Sequence, residues 1–430
     1  MTHSDETGGL AVAHEATARD LPTAPRSPGD RDRGRGLLLV LALLTAVGPL
    51  AIDMYVPGFP AMSASLHAGS SAVQLTLTVF LAGVVVGQLA IGPISDTVGR
   101  RGPLIAGSTG FAVTALACAF ATGVGELVVI RFVQGVTAAA GMVLTRAVIT
   151  DRFHGHDVPR RIALLGQVLC VAPVVAPVIG GGIMSAWSWR AVFLALCSIG
   201  VLLTAGVVAK VPETLPPQRR HRGGPAGTFH AMGRLARHRP FLGNTLVLAL
   251  SSAALFAYIS GSSFVFERVH GLSVGMYAVI FAVNSVGQLL AGTAFSRLAH
   301  HVRINTLLTL SVAVATAGAL AQVLLTIGVG ENLAASWITQ FVTLTAFGIA
   351  VPATITLGQN LGRTAPGAAS ALLGGTQFLF GALASCLVGL FGETSSLPMG
   401  LIMLVALALA VLCLLVLVRP REGHGEIGAR

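Results

Sequence analysis

Val86-Gly87-Gln88-Leu89-Ala90-Ile91-Gly92-Pro93-Ile94-Ser95-Asp96-Thr97-Val98-Gly99-Arg100-Arg101 closes an apolar run and turns it into a charged loop. Its opening returns as Val286-Gly287-Gln288-Leu289-Leu290-Ala291-Gly292, at an offset of 200 and with five of seven positions identical. Paired glycines also mark close helix packing, and the two readings are compatible. Rank gives the match its weight, because each copy ends the second apolar segment of its half of the chain. Parallel repeats meeting around a site are a transporter design. The glycines Gly87 and Gly92 admit a neighbouring backbone, Gly99 makes a tight turn, and Arg100 and Arg101 hold the loop at the membrane face. Asp96 is an anion placed to meet a basic side chain or a helix N-terminus. The second copy ends Phe295-Ser296-Arg297 without the acid, so the charged part is asymmetric.

Composition agrees. The 430 residues are 54% hydrophobic and only 10% charged, with a mean hydropathy of +0.80. Soluble domains carry roughly 25% charged residues, so disorder, a coiled coil and an ordinary soluble enzyme are excluded. A helix needs about 20 mainly apolar residues to cross about 30 Å of hydrocarbon. Twelve such segments are read, at 37–59, 72–94, 103–122, 126–147, 162–185, 190–209, 241–265, 274–296, 304–328, 333–357, 367–390 and 397–418. None alternates with the period of a barrel strand. The expected fold is an all-α membrane protein of twelve transmembrane helices. A disordered tail (1–36) precedes a six-helix bundle (37–209), a linker (210–240), a second six-helix bundle (241–418) and a short tail (419–430). The first segment lacks the cleavage site of a signal peptide and reads as an uncleaved anchor.

The net charge of +10 raises the question of a nucleic-acid partner, and its distribution answers it. Of the 27 Lys and Arg, 24 fall in the two tails and the loops after helices 2, 4, 6, 8 and 10. The opposite loops hold Arg190 and Arg268, and Arg131 lies inside helix 4. Basic loops stay cytoplasmic, so both termini are expected there, in the cytoplasmic membrane of a bacterium, with no nucleic-acid partner. The five cysteines all fall inside spans without a CxxC pair, and the histidines lack metal-ligand spacing. No phosphate loop, nucleophile elbow or dinucleotide fingerprint is present, so neither metal nor cofactor is implied.

Beyond the repeat, Gly92 to Arg101 resembles the signature of the major facilitator superfamily, G-x-x-x-G-P-x-x-D-x-x-G-R-R. Arg131-Phe132-Val133-Gln134-Gly135-Val136-Thr137-Ala138-Ala139 is similar to its helix 4 motif. Gly166 to Pro173, then Ala176-Pro177-Val178-Ile179-Gly180-Gly181-Gly182, resembles its antiporter motif, with Ala176 where Gly is usual. Pro173, Pro177 and Gly181 should bend helix 5. Asp53-Met54-Tyr55-Val56-Pro57-Gly58-Phe59-Pro60, Arg146 to Asp151, Trp187 to Phe193, and Phe256 to Val265 resemble the Bcr/CflA drug-resistance branch, with Ser263 replacing a usual Pro. The resemblance implies two bundles around a central cavity, a conformational latch at Asp96, Arg100 and Arg101, and export of small, fairly apolar antibacterial compounds in the phenicol and bicyclomycin range.

An ionisable residue inside a span is a functional candidate by default. Asp53 and Arg131 are the clear cases, placed at similar depths so that they meet in the outer half of the membrane. Asp53 is read as the proton carrier and Arg131 as the permanent charge that tunes it; a structural ion pair is the competing role. Tyr55, Gln134, Phe256, Tyr258 and Asn284 are nominated for substrate, with helix bracing as the alternative. Glu267 and Arg268 are read as solvated. The expected partners are a drug-like small molecule, protons and the lipid bilayer, with the chain a monomer and not an enzyme. Uptake by proton symport, or metabolite export, is the alternative. A membrane enzyme or sensor would need a catalytic cluster that the sequence lacks.

Overall fold

The computed structural model describes residues 28–153, 157–220, 226–391 and 395–426. Among these, twelve helices are long and apolar enough to cross a membrane. They are α1 (Gly36–Ser65), α2 (Ser70–Val98), α3 (Arg101–Phe120), α4 (Val124–Arg152), α5 (Leu164–Ala186), α6 (Trp189–Lys210), α7 (Arg239–Val269), α8 (Val274–Leu298), α9 (Ile304–Val329), α10 (Leu333–Leu361), α11 (Pro366–Leu390) and α12 (Leu397–Val418). The described residues contain no strand. The segments read from hydropathy are all present, most of them longer than expected.

The largest difference is at the first helix. Helix is already present from Pro28 on, inside the stretch expected to be a disordered tail, and residues 1–27 lie outside the described residues. The far end is set by a proline. Pro57 has no N–H for the carbonyl four residues back and its ring crowds that carbonyl. Four residues back is Asp53, and there the α-helix stops. A 3₁₀ turn, Val56–Gly58, and a short helix, Phe59–Ser65, then carry the span outward. Asp53 therefore sits at a break within the span, not near its end.

Glycine decides how closely the helices pack. A methyl group on Gly83 would overlap the carbonyl of Phe132, and one on Gly135 would overlap that of Phe80, so α2 and α4 touch backbone to backbone. Gly87 rests on Val136 and Ala139 of α4, and its repeat partner Gly287 rests on Thr345 and Phe341 of α10. Gly348 of α10 in turn faces the carbonyl of Gln288. The repeat seen in sequence thus marks the same helix pair, second against fourth, in each half. Between the halves, α2 lies along α11 and α5 along α8.

The segments outside the spans are more ordered than their composition suggests. The linker contains a helix, Ala226–Arg237, whose Leu235 is buried against Phe241, Ala369 and Leu373. The C-terminal tail folds back through Pro420–Glu422 towards the start of α9. All five cysteines are free.

Candidate functional site

Arg131 is fully buried, and burying an ion is tolerable only when its donors and its charge are met. One turn separates Arg131 from Gln134 on α4, and Nη1 donates to Gln134 Oε1 at 2.6 Å. Ala51 and Tyr55 share a face of α1. Nη2 donates to the Ala51 carbonyl at 3.1 Å, and the guanidinium lies 4.2 Å from the Tyr55 ring centroid. Phe80 of α2 covers its other side at 4.1 Å. The Tyr55 hydroxyl is paired with Thr76 Oγ1 at 3.3 Å. A planar cation between two aromatic faces gains roughly 0.5–2 kcal/mol from each. Tyr55 and Gln134, nominated for substrate, are both fully buried within this cage.

The expected meeting of Asp53 and Arg131 does not occur. No ion pair joins them, and Asp53 Oδ1 is buried without a hydrogen-bond partner. The cause is angular. Two helical residues subtend about 200°, so if Ala51 faces α4, Asp53 faces away from it. Its charge acts instead on the hydroxyls of Tyr258 and Tyr277, across the seam in the second half.

Those hydroxyls belong to a polar chain. Ser262 pairs with the Tyr277 hydroxyl at 2.8 Å and lies beside that of Tyr258. Asn284 Nδ2 donates to the Tyr258 hydroxyl at 3.0 Å, and Trp337 Nε1 donates to Asn284 Oδ1 at 3.1 Å. Tyr258 and Asn284 are thus brought together, and Phe256 is not among them: it packs on Phe378, with ring centroids 6.0 Å apart, and on Gly381. Sequence reasoning missed Phe80, Thr76, Ser262, Tyr277 and Trp337. Tyr277 had a signal, because 277, 281 and 284 share one face of α8; Trp337 had none.

α5 touches both parts. The helix containing it, Asp157–Ala186, continues through Pro173 and Pro177 without interruption. A methyl on Gly180 would overlap the Met54 carbonyl, and one on Gly181 would crowd the Ala278 side chain of α8.

At the end of the bundle away from the arginine-rich loops, side chains stitch the halves together. Gln74 Nε2 donates to the Ser260 carbonyl at 3.1 Å, Ser71 Oγ donates to the Gly389 carbonyl, and Arg268 Nη2 donates to Ser63 Oγ at 2.9 Å. Phe59 and Phe264 meet there with centroids 6.0 Å apart. Arg268 is exposed, as expected, while it also reaches Ser63 across the seam; Glu267 differs from the solvated reading, because its Oε1 is buried with no hydrogen-bond partner. Glu267 follows Phe264, Val265 and Phe266, all buried, which draw it inward.

At the arginine-rich end, Arg100 bridges Asp96 at 2.6 Å and Asp151 at 3.1 Å, so the latch closes within the first half here. Gly99 has φ +105°, a conformation that favours glycine, and makes the expected turn. Glu213, just past α6, accepts from the backbone N–H groups of Arg100 at 2.9 Å and Arg101 at 3.2 Å, capping α3. Partial burial works to raise its carboxyl, but these N–H groups with those of Leu215 and Thr214 outweigh it and hold Glu213 below the ordinary carboxylate range. The second half has a counterpart. Glu426, past α12, accepts from the N–H of Asn305 at 3.0 Å and from Arg303 Nε at 3.1 Å, at the start of α9.

Two repeated six-helix halves, packed through matching glycines and holding unpaired ionisable groups at their seam, define a membrane transporter. The model of the Major Facilitator Superfamily matches residues 41–385, and the chain belongs to that superfamily. As a member it is a multi-pass membrane transporter of small molecules and not an enzyme. It is 36% identical to the MFS-type transporter YdgK of Bacillus subtilis over 91% of this chain and 97% of that one. It is 31% identical to a bicyclomycin resistance protein homolog of Haemophilus influenzae, over 64% of this chain and 70% of that one. The multidrug resistance protein MdtL of Klebsiella pneumoniae is 28% identical over 89% and 95% respectively. Among solved structures, a D-xylose-proton symporter matches with a TM-score of 0.72 at 15% identity, covering 92% of this chain and all of that one. A bacterial homolog of the lysosomal transporter Spinster, inward-facing and occupied, gives 0.70 at 14% identity, over 94% of this chain and all of the other.

Proposed function

We propose that the protein is a Bcr/CflA-type drug exporter in the cytoplasmic membrane of a bacterium. It exchanges protons for small, fairly apolar antibacterial compounds in the phenicol and bicyclomycin range, as a monomer with both termini cytoplasmic. The observation that carries this reading is the Asp53 carboxylate, buried at a helix break on the seam with one oxygen unpaired. A group left without a partner in one conformation gains by taking a proton there and by losing it where a second conformation solvates it. That differential couples the proton to alternating access. Arg131 is suited to the opposite task, since its charge is held within one half by Gln134, the Ala51 carbonyl and two aromatic rings, with Nε alone unpaired, and stays fixed.

The relatives named for bicyclomycin and multidrug resistance support the substrate class. With the arginine-rich loops cytoplasmic, the stitched end is the outer face, and this conformation is closed outward. The latch is then engaged within the first half alone: Asp96 is paired with Arg100 though half exposed, and the start of α11 has no side-chain cap. Closure of the inner end would bring Asp96 to that N-terminus.

Inside-out vesicles test the reading. With a pH gradient imposed, adding a phenicol or bicyclomycin should dissipate it, and the Asp53→Asn protein should leave it intact. A gradient indifferent to every drug in a susceptibility panel would refute antiport of these compounds. A gradient dissipated equally by Asp53→Asn would remove Asp53 from the coupling step.

A further inference from the structure

We propose that Glu267 is the outer proton port for Asp53, and that the hydroxyls of Tyr277, Ser262 and Tyr258 carry the proton between them. The inference rests on the reading of Asp53 given above. Among the described residues, two buried carboxylate oxygens lack a hydrogen-bond partner, Asp53 Oδ1 and Glu267 Oε1. They flank one polar chain. Glu267 acts electrostatically on the Tyr277 hydroxyl, and Asp53 acts on both Tyr277 and Tyr258. Ser262 lies between the two tyrosines, 2.8 Å from the first. All three hydroxyl residues are buried to within 1% of full enclosure, with Phe266 against Tyr277 and Phe281 against Tyr258.

Position fits the task. Glu267 lies at the outer end of α7, beside the Arg268–Ser63 contact that joins the halves. Asp53 lies twelve residues inward of the end of α1 at Ser65. Neither carboxylate oxygen is hydrogen-bonded to the chain in this conformation; when both gaps close, a proton taken up by Glu267 passes to the Tyr277 oxygen as the proton of Tyr277 passes to Ser262, that of Ser262 to Tyr258, and that of Tyr258 to Asp53. Each O–H bond broken is matched by one formed, and every hydroxyl ends neutral. A bare carboxylate with no such chain would need water to enter among these phenylalanine rings.

Other charged groups bear on Glu267. Arg268 shares its turn. Tyr277 faces it from α8, and Asp53 lies beyond on α1. Further out, His270 pairs with Glu331 at 3.9 Å; burial lowers the His270 pKa and Glu331 opposes the shift.

The experiment uses the full chain in proteoliposomes, with drug-driven proton flux recorded against outer pH and drug binding measured separately by equilibrium dialysis. Glu267→Gln is expected to lower coupled flux by about a hundredfold, the scale of losing a positioned proton-transfer group, and to flatten the pH profile. Glu267→Asp should restore both, and Tyr277→Phe should act in the same direction as Glu267→Gln. Unchanged flux and pH profile in Glu267→Gln, with Asp53→Asn inactive, would overturn the port and leave the Asp53 reading standing. Full coupling in Asp53→Asn would remove that reading itself. Loss of drug binding in Glu267→Gln would make Glu267 a brace of the outer seam and would also overturn the proposal.

Discussion

The two halves hold their buried polar groups in opposite ways. In the first, one cation sits between two aromatic rings with Gln134 and a backbone carbonyl as acceptors. In the second, a run of neutral hydroxyl and amide groups crosses from Tyr277 to Trp337. Asp53 belongs by sequence to the first half and by environment to the second. A met charge is a fixed structural element, whereas an unmet one is free to change state. Arg131 leaves only Nε without an acceptor and has two hydrogen bonds and two rings to hold it, whereas Asp53 Oδ1 is buried with no partner; that difference, rather than depth, sets the two apart.

That contrast is open to attack at several strengths. Asp53→Asn should lower drug-dependent proton flux by about a hundredfold while the protein still folds, since a neutral amide in a partnerless site is easier to bury than a carboxylate. Arg131→Ala should do the reverse and act on folding, costing about 3–5 kcal/mol in thermal unfolding, because it empties the cage and strands Gln134. A folded, stable Arg131→Ala protein that transports drug without protons would break the distinction. Gly135→Ala and Gly348→Ala test whether the halves pack alike; each should cost about 1–3 kcal/mol through forced separation of the helices. A large difference between the two would mean the repeat has diverged in packing as well as in charge. Smallest are Glu213→Gln and Glu426→Gln, each about 1 kcal/mol as lost caps. Because the Glu213 carboxyl is held below its ordinary value, its contribution is complete above the ordinary carboxylate range and fades as pH falls through the lowered one. The cost of Glu213→Gln, followed by unfolding at stepped pH, should shrink in acid.

Much of this was legible in one chain. Hydropathy located the spans because lipid demands long apolar helices, and the glycine repeat located the helix pairs. The break at Asp53 was also legible, since Pro57 points to the carbonyl four residues back, yet an unbroken hydropathy profile hides it. The partners of Asp53 were not, because similar depth on two helices says nothing of the angle at which each side chain leaves its axis. Glu426 escaped for a different reason. It lies 213 residues from Glu213 while the repeat has an offset of 200, so aligning the halves does not pair them. Trp337 has no neighbours in sequence that suggest its bond to Asn284; only the approach of α8 and α10 supplies it.

Gly180 bears on Met54, the residue after Asp53, and Gly181 bears on Ala278, the residue after Tyr277. One helix thus gauges the gap between acid and hydroxyl from both sides, with two absent methyl groups as its tolerance. Any flexing of α5 at Pro173 and Pro177 would change that gap without either residue changing rotamer. The clearance across which a proton must pass is set by a helix that contributes no titrating group to it.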